Sequence, residues 1–209
     1  MIDFLLNFVL HIDQHLIAFV TDHGAWTYAL LFAVIFCETA LVVTPFLPGD
    51  SLLFAAGTIS ANQDGLNIHL LFFLLLFASW IGNTINYAIG RFIGPKIFFT
   101  DDSFFFKRKY LNDANQFYQR HGGKTIVIAR FIPIIRTFVP FVAGLANMNK
   151  AAFFIYNLVG ALLWIGGLLY VSYLFGNLPL IKDNLSVVIM GIIVISLLPP
   201  IFAFFRKKA

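Results

Sequence analysis

The sequence predicts an all-α polytopic membrane protein, and three observations support that fold class. The chain has 209 residues, of which 60% are hydrophobic and 11% are charged, whereas about 25% of a typical soluble domain is charged. Apolar stretches recur that are long enough to cross a bilayer core of about 30 Å. Prolines interrupt two of these stretches and break their helices. We therefore expect a single membrane domain, 1–209, with two oppositely facing re-entrant helical hairpins, about three full transmembrane helices and amphipathic interfacial helices.

Residues 1–24 are predicted to form an amphipathic interfacial helix. Apolar residues dominate the segment, but His11, Asp13 and His15 interrupt it near the middle, which disfavours a simple span. The segment contains no Lys or Arg, so it lacks the basic start of a signal peptide. We expect the retained apolar segments to act as targeting signals themselves.

Residues 25–60 are predicted to form the first re-entrant hairpin. An apolar run meets Pro45, Pro48 and Gly49, and apolar character resumes at residue 51. Irregular backbone at membrane depth is tolerated only where protein or a watery cavity surrounds it. The interruption is therefore expected to be enclosed rather than exposed to lipid.

Residues 66–89 are predicted to form a full transmembrane helix. Its second half carries Asn83, Asn86 and Tyr87, which could line a cavity or pair across helices. Residues 91–124 follow, with seven Lys or Arg residues against three Asp residues. We interpret them as a cytoplasmic amphipathic segment on the membrane surface; the alternative is a solvated loop helix.

Residues 125–145 are predicted to form the second re-entrant hairpin, because Pro133 and Pro140 interrupt another apolar stretch. Two further apolar stretches, 151–175 and 185–205, are each long enough for a transmembrane helix.

The distribution of cations predicts the topology. Lys and Arg mark the cytoplasmic side, which places both residues 91–124 and the C-terminal Arg206-Lys207-Lys208 there. Two full spans already separate these marks, so residues 125–145 must enter and leave on the cytoplasmic side. Residues 66–89 end on the cytoplasmic side and therefore begin on the outer side. Residues 25–60 must then enter and leave on the outer side. Hairpins that face each other in this way are typical of inverted repeats with a site near the bilayer midplane.

Four charged residues are predicted to lie at membrane depth: Glu38, Asp50, Arg130 and Arg136. Inserting one such charge at the centre of a transmembrane helix costs roughly 2.5–3.5 kcal/mol, so charged residues at this depth usually serve a function. Arginine suits a phosphate because its planar fork binds two oxygens and stays charged. The two acids would neutralise the arginines or exchange protons. The alternative is a set of static ion pairs that holds the hairpins together.

The spacing of the two arginines requires a break in the helix. On an unbroken helix, six steps of about 100° place Arg130 and Arg136 roughly 120° apart. Pro133 lies midway between them, and a turn there could direct both guanidinium groups toward one cavity.

Other functional classes have little support. No nucleophile, histidine and acid come together at membrane depth, so an enzyme is not expected. His11 and His15 lack an obvious third ligand, and we expect neither a metal nor a cofactor. The cations do not form one polar domain, which disfavours nucleic acid as a partner.

Three motifs resemble the DedA family of bacterial membrane proteins, also described as SNARE-associated or VTT-domain proteins. They are Glu38 followed by Pro-Phe-Leu-Pro-Gly-Asp at 45–50, Gly-Asn-Thr-Ile-Asn-Tyr-Ala-Ile-Gly-Arg-Phe-Ile-Gly at 82–94, and Arg-Phe-Ile-Pro-Ile-Ile-Arg at 130–136. The resemblance implies facing re-entrant hairpins, a bacterial inner-membrane location and dependence on the proton motive force. It carries the functional charges over to Glu38, Asp50, Arg130 and Arg136. The chain departs from the common pattern at Asp50, where many members carry Glu, and at Asn83, where many carry Asp.

The predicted function is a flippase, dependent on the proton motive force, that translocates an anionic lipid carrier and supports envelope biogenesis. Arg130 and Arg136 would bind the phosphate, and Glu38 and Asp50 would couple protons. Undecaprenyl phosphate is the leading candidate substrate, and membrane lipids, protons and further copies of the chain are the expected partners. The alternatives are a proton-coupled small-ion transporter or antiporter, and a non-catalytic membrane scaffold.

Overall fold

The structure, a computed structural model, describes residues 12–41, 49–62, 66–97 and 122–176, together with residues 178–179, 187–188 and 190–191. Most of the predicted span at 185–205 and residues 98–121 of the predicted surface segment lie outside this part. Every regular element within it is an α-helix. The helices are α1 (Ile12–His23), α2 (Trp26–Ala40), α3 (Gly49–Asn62), α4 (Ile68–Ile97), α5 (Lys124–Ala129), α6 (Pro133–Leu145) and α7 (Lys150–Phe175).

The chain divides into two compact units, each assembled from separate segments. The first unit contains residues 1–35, 46–78 and 163–209, and the second contains residues 36–45 and 79–162.

The predicted interruption of the first hairpin lies between α2 and α3. Helix α2 ends at Ala40, and α3 begins at Gly49. Pro45 and Pro48 lie outside the described residues, so their role as a break stays a prediction.

Helix α4 is longer than the predicted span. It begins after Asn67, whose Oδ1 accepts hydrogen bonds from the backbone N–H groups of His69 and Leu70 at 2.9 and 3.1 Å. It continues to Ile97 rather than ending at residue 89, because a glycine inside a helix, such as Gly90, costs only about 1 kcal/mol. The first residues of the predicted surface segment are therefore part of this helix.

The apolar stretch predicted as the second hairpin is interrupted next to Pro133, as expected. A turn at residues 130–132 separates α5 from α6, and Pro133 opens α6, a position where its missing N–H is not needed. The re-entrant course of this segment stays a prediction. The prediction of a second break at Pro140 is wrong, because Pro140 lies inside α6. A proline there removes one helical hydrogen bond, and a single loss does not end a helix that packs closely against a neighbour.

Helices α6 and α7 are joined by a short connection that the sequence encodes locally. Asn147 adopts the left-handed backbone conformation, with a φ of 51°, and the N–H of Met148 donates to the carbonyl of Ala143 at 3.0 Å. This pattern is a Schellman C-cap. Asn149 then caps α7 by accepting from the N–H of Ala152 at 3.1 Å.

Among the described residues, helices α4 and α7 are the elements of membrane-spanning length. Residues 68–93 and 150–175 are long and apolar enough to cross a bilayer, which agrees with the helices predicted at 66–89 and 151–175. Their orientation in the membrane stays a prediction.

Glycines allow close helix packing within each unit. In the second unit, a Cβ atom at Gly144 would collide with the backbone of Tyr87, and one at Gly90 with the backbone of Phe141. In the first unit, a Cβ atom at Gly57 would lie 2.6 Å from the carbonyl oxygen of Leu169. Small residues permit such backbone approach between membrane helices.

We predict that Gly144→Ala destabilises the protein by about 1–3 kcal/mol, since the new methyl group has only backbone to displace. Thermal unfolding in detergent micelles measures the change. Gly167→Ala is the matched control, because no atom lies within 4 Å of a Cβ at that position. Equal unfolding temperatures for the two variants would contradict the close packing of α4 and α6.

Candidate functional site

Three charged side chains are buried among the described residues of the second unit. Glu38, Arg130 and Arg136 are 0%, 3% and 6% exposed. A buried charge is costly unless it is paired and hydrogen-bonded. The partners of these three groups therefore decide how the unit is stabilised and what it can bind.

Arg136 forms an ion pair with Glu38. The Nη2 of Arg136, in α6, donates to Oε1 of Glu38, near the end of α2. This contact shows which acid pairs with Arg136, a point the sequence left open. It fits the predicted neutralisation of an arginine by an acid.

Asn86 fixes the backbone beside both members of this ion pair. Its Nδ2 donates to the carbonyl oxygens of Thr39 and Thr137 at 3.2 and 2.9 Å. These carbonyls belong to the residues that follow Glu38 and Arg136. Of the two predicted uses of Asn86, the structure thus shows pairing between helices.

Arg130 lies in the turn before α6 and extends into a polar cluster. Its Nη1 donates to Oγ of Ser79 at 2.6 Å, and its Nη2 donates to Oδ1 of Asn157 at 2.5 Å. Gly160 makes room for this side chain, because a Cβ atom there would lie 2.8 Å from Cδ of Arg130.

Asn83 completes the surroundings of Arg130. The amide orientation that satisfies both of its polar atoms places its oxygen 2.7 Å from Nη2 of Arg130 and its nitrogen 3.2 Å from the carbonyl oxygen of Thr39. Arg130, in the turn, and Arg136, beyond it, are both buried within one unit.

The side chain of Tyr87 makes packing and hydrogen-bonding contacts with neighbouring elements. Its ring stacks on Phe153 with centroids 4.2 Å apart, and its hydroxyl donates to the carbonyl of Met148 at 2.6 Å. Arg91 donates to the same hydroxyl at 2.7 Å. Tyr87 thus anchors the connection between α6 and α7 within an apolar cluster.

Asp50 belongs to the first unit. It lies in the first turn of α3, where a negative charge is favourable. Its Oδ1 accepts from Nε1 of the buried Trp164 at 2.8 Å. The sequence suggested only packing or interfacial anchoring for Trp164 and did not single out its indole N–H as a partner for an acid.

Sequence reasoning also missed Asn157 and Ser79. Asn157 had a detectable signal, because an amide inside the apolar stretch 151–175 is costly unless it has partners. Ser79 had none, since a serine in a membrane helix commonly bonds its own backbone.

The arginines give this unit the chemistry of an anion site. Two guanidinium groups and one carboxylate are buried in the described part of the unit. The charged N–H donors of an arginine suit an anion. Within the described ranges, no three His, Cys, Asp or Glu side chains come together as a metal site requires.

Comparison with known proteins gives a consistent result. Residues 47–174 match the family model of the VTT domain, a range that contains Asp50, Arg130 and Arg136. Protein DedA of Escherichia coli (strain K12) is 51% identical over 209 residues, which is 100% of this chain and 95% of that protein.

Two more distant relatives are also membrane proteins by name. An uncharacterized membrane protein of Mycobacterium leprae is 41% identical over 170 residues, or 81% of this chain and 76% of its own length. Inner membrane protein YqjA of Escherichia coli (strain K12) is 32% identical over 152 residues, which is 73% of this chain and 69% of that protein. No solved structure matches the chain.

We predict that Glu38→Gln destabilises the protein by about 3–5 kcal/mol, because it removes the carboxylate that pairs with the buried Arg136 and so breaks a buried ion pair. The double variant Glu38→Gln with Arg136→Gln should recover part of the loss, and a double-mutant cycle measured by unfolding in detergent gives the coupling. Asp22→Asn, at an exposed position in α1, is the control. Additive effects of the two single substitutions would refute the ion pair.

Proposed function

Because this chain belongs to the DedA family of VTT-domain membrane proteins, we propose that it is a flippase for an anionic lipid carrier, with undecaprenyl phosphate as the substrate. The proton motive force drives the transfer, which returns the carrier for envelope biogenesis. The protein acts in the inner membrane as a multi-pass protein with a cytoplasmic C-terminus. One relative is itself named an inner membrane protein.

The observation that carries this proposal is the burial of Arg130 and Arg136 in the second unit. Each arginine presents a planar fork that can donate two parallel hydrogen bonds to phosphate oxygens. Two buried arginines favour an anionic substrate over an uncharged one.

The ion pair supplies a means of coupling transport to protons. In the absence of substrate, Glu38 accepts the hydrogen bond from Arg136. A proton on Glu38 removes its negative charge, so that Arg136 becomes available to the phosphate. Asp50, held by Trp164 in the first unit, is the second group proposed to exchange protons.

The exposed apolar surface of the protein explains where the lipid tail of the substrate would lie. Several large apolar side chains of α4 are exposed, among them Phe73 and Phe77 at 66% and 53%. Apolar side chains on a membrane helix face acyl chains without cost. The polyprenyl tail therefore remains in the bilayer while the phosphate moves through protein.

We predict that Arg130→Lys and Arg136→Lys each reduce translocation of polyprenyl phosphate at least tenfold, because lysine keeps the charge but loses the fork. The assay uses purified protein in liposomes, with and without a pH gradient, and Arg136→Ala as the inactive reference. Wild-type rates in both Lys variants would argue against phosphate binding by the arginines. Transport of small ions in liposomes without polyprenyl phosphate would instead indicate an antiporter.

A membrane scaffold is the second candidate, and the Glu38–Arg136 ion pair favours it because such a pair can be purely structural. The exchange Glu38→Arg with Arg136→Glu tests it. In a scaffold the exchanged pair should restore both stability and complementation of a deletion strain. For a flippase we expect recovery of stability alone, since the guanidinium group would then lie on α2 instead of α6.

A further inference from the structure

One amide side chain links the two helices that carry the Glu38–Arg136 ion pair. Asn86 is fully buried on α4, and its Nδ2 donates to the carbonyl oxygens of Thr39 and Thr137 at 3.2 and 2.9 Å. Thr39 directly follows Glu38 in α2, and Thr137 directly follows Arg136 in α6. Asn86 therefore contacts the backbone one residue away from each member of the ion pair.

The chemistry of the two partners fixes the orientation of the Asn86 amide. A carbonyl oxygen can only accept hydrogen bonds, so the nitrogen end of the amide must face both carbonyls. That end has two N–H donors, one for each carbonyl. Thr39 lies in the last turn of α2, where the helix itself does not supply N–H donors to its carbonyls. The carbonyl of Thr137, inside α6, has two lone pairs and can accept a second bond.

The neighbouring amide of Asn83 has different partners. Asn83 lies about one helical turn before Asn86 on α4. In the orientation that satisfies both of its polar atoms, its nitrogen is 3.2 Å from the carbonyl oxygen of Thr39 and its oxygen is 2.7 Å from Nη2 of Arg130. Of these two amides, Asn86 is the one that bonds the backbone of both α2 and α6.

The bonds of Asn86 and the ion pair respond differently to a proton or an anion. The charged groups buried in the described part of this unit are Glu38, Arg130 and Arg136. A proton on Glu38 weakens its attraction to Arg136, and a phosphate competes for the same guanidinium group. Asn86 joins a neutral amide to neutral carbonyls, and none of these groups titrates. Its bonds can therefore persist when the ion pair opens.

We propose that Asn86 is a positioning residue that keeps the backbones carrying Glu38 and Arg136 at a fixed separation while their ion pair opens and closes. The inference rests on the proposed function, in which a proton on Glu38 releases Arg136 to the phosphate of a lipid. It adds that the ion pair opens by rotation of its side chains, while α4 holds α2 and α6 together. When the phosphate leaves, the two side chains are still within reach of each other and the pair re-forms.

The separation of the two backbones determines how strongly transport depends on protons. Without the bonds of Asn86, α2 and α6 can move apart, and Arg136 then lies away from Glu38 even when Glu38 is charged. Phosphate binding would no longer require a proton on Glu38. Loss of Asn86 should therefore weaken the coupling between transport and protons.

The test measures translocation of a short-chain polyprenyl monophosphate by the full-length protein in liposomes, with and without a pH gradient. The informative quantity is the ratio of the two rates, because a variant that merely folds less well lowers both rates equally. We expect Asn86→Ala to lower this ratio by a factor of about five, or to one if the wild-type ratio is smaller, since one neutral hydrogen bond is typically worth such a factor. Asn67→Ala makes the same substitution at the exposed cap of α4 and should leave the ratio unchanged.

A second measurement does not depend on transport. The coupling between Glu38→Gln and Arg136→Gln is obtained from unfolding in detergent. Expressed as a ratio of equilibrium constants, it should be about fivefold weaker in an Asn86→Ala background. In an Asn67→Ala background it should be unchanged.

An amide that only stabilises the fold predicts a different outcome. The ratio of rates in folded Asn86→Ala protein would then equal that of the wild type, or the coupling would be the same in both backgrounds; either result overturns the inference. If the wild type does not translocate the probe but the coupling weakens as expected, the positioning role of Asn86 is supported and the proposed lipid substrate is wrong.

Discussion

The requirement that buried charges be compensated governs the second unit. Among its described residues, two guanidinium groups and one carboxylate are removed from water, and each would be strongly unfavourable alone. Glu38 forms an ion pair with Arg136. A hydroxyl oxygen of Ser79 and an amide oxygen of Asn157 accept hydrogen bonds from Arg130. Much of the local structure can be understood as the means of holding these few atoms in place.

The helices that surround the charges are fixed by features unrelated to charge. Gly90 and Gly144 bring α4 and α6 into backbone contact, which allows the short side chain of Asn86 to reach the carbonyl of Thr137 in α6. Gly160 leaves the volume that the Arg130 side chain occupies. Close helix packing and polar bonding thus depend on each other, because short amides can join helices only when the backbones approach closely.

The two units use similar devices. Each contains an acidic residue with a specific N–H donor: Glu38 with Arg136, and Asp50 with Trp164. Each also contains a glycine that packs against the backbone of a long helix, Gly57 in one and Gly144 in the other. These glycines end two similar short sequences, Phe-Ala-Ala-Gly at 54–57 and Phe-Val-Ala-Gly at 141–144, so the similarity corresponds to a shared role in packing.

The sequence by itself determined that the protein is a helical membrane protein, the family to which it belongs and the charged residues within its apolar stretches. Composition and the length of apolar stretches decide the class, and the long helices α4 and α7 follow from them; three short motifs indicate the family. Local chemistry also indicated an interruption near Pro133, between Arg130 and Arg136, but added a false break at Pro140.

Only the tertiary structure decided which groups meet. Glu38 and Arg136 are 98 residues apart in the chain, and no local pattern states which acid an arginine will reach. Asn157 and Ser79 gained their roles from the way α4 and α7 approach the turn at Arg130. Helix formation depends on neighbours within a few residues, so the sequence predicts the helices. Hydrogen-bond partners distant in sequence depend on packing across helices, so the sequence does not predict them.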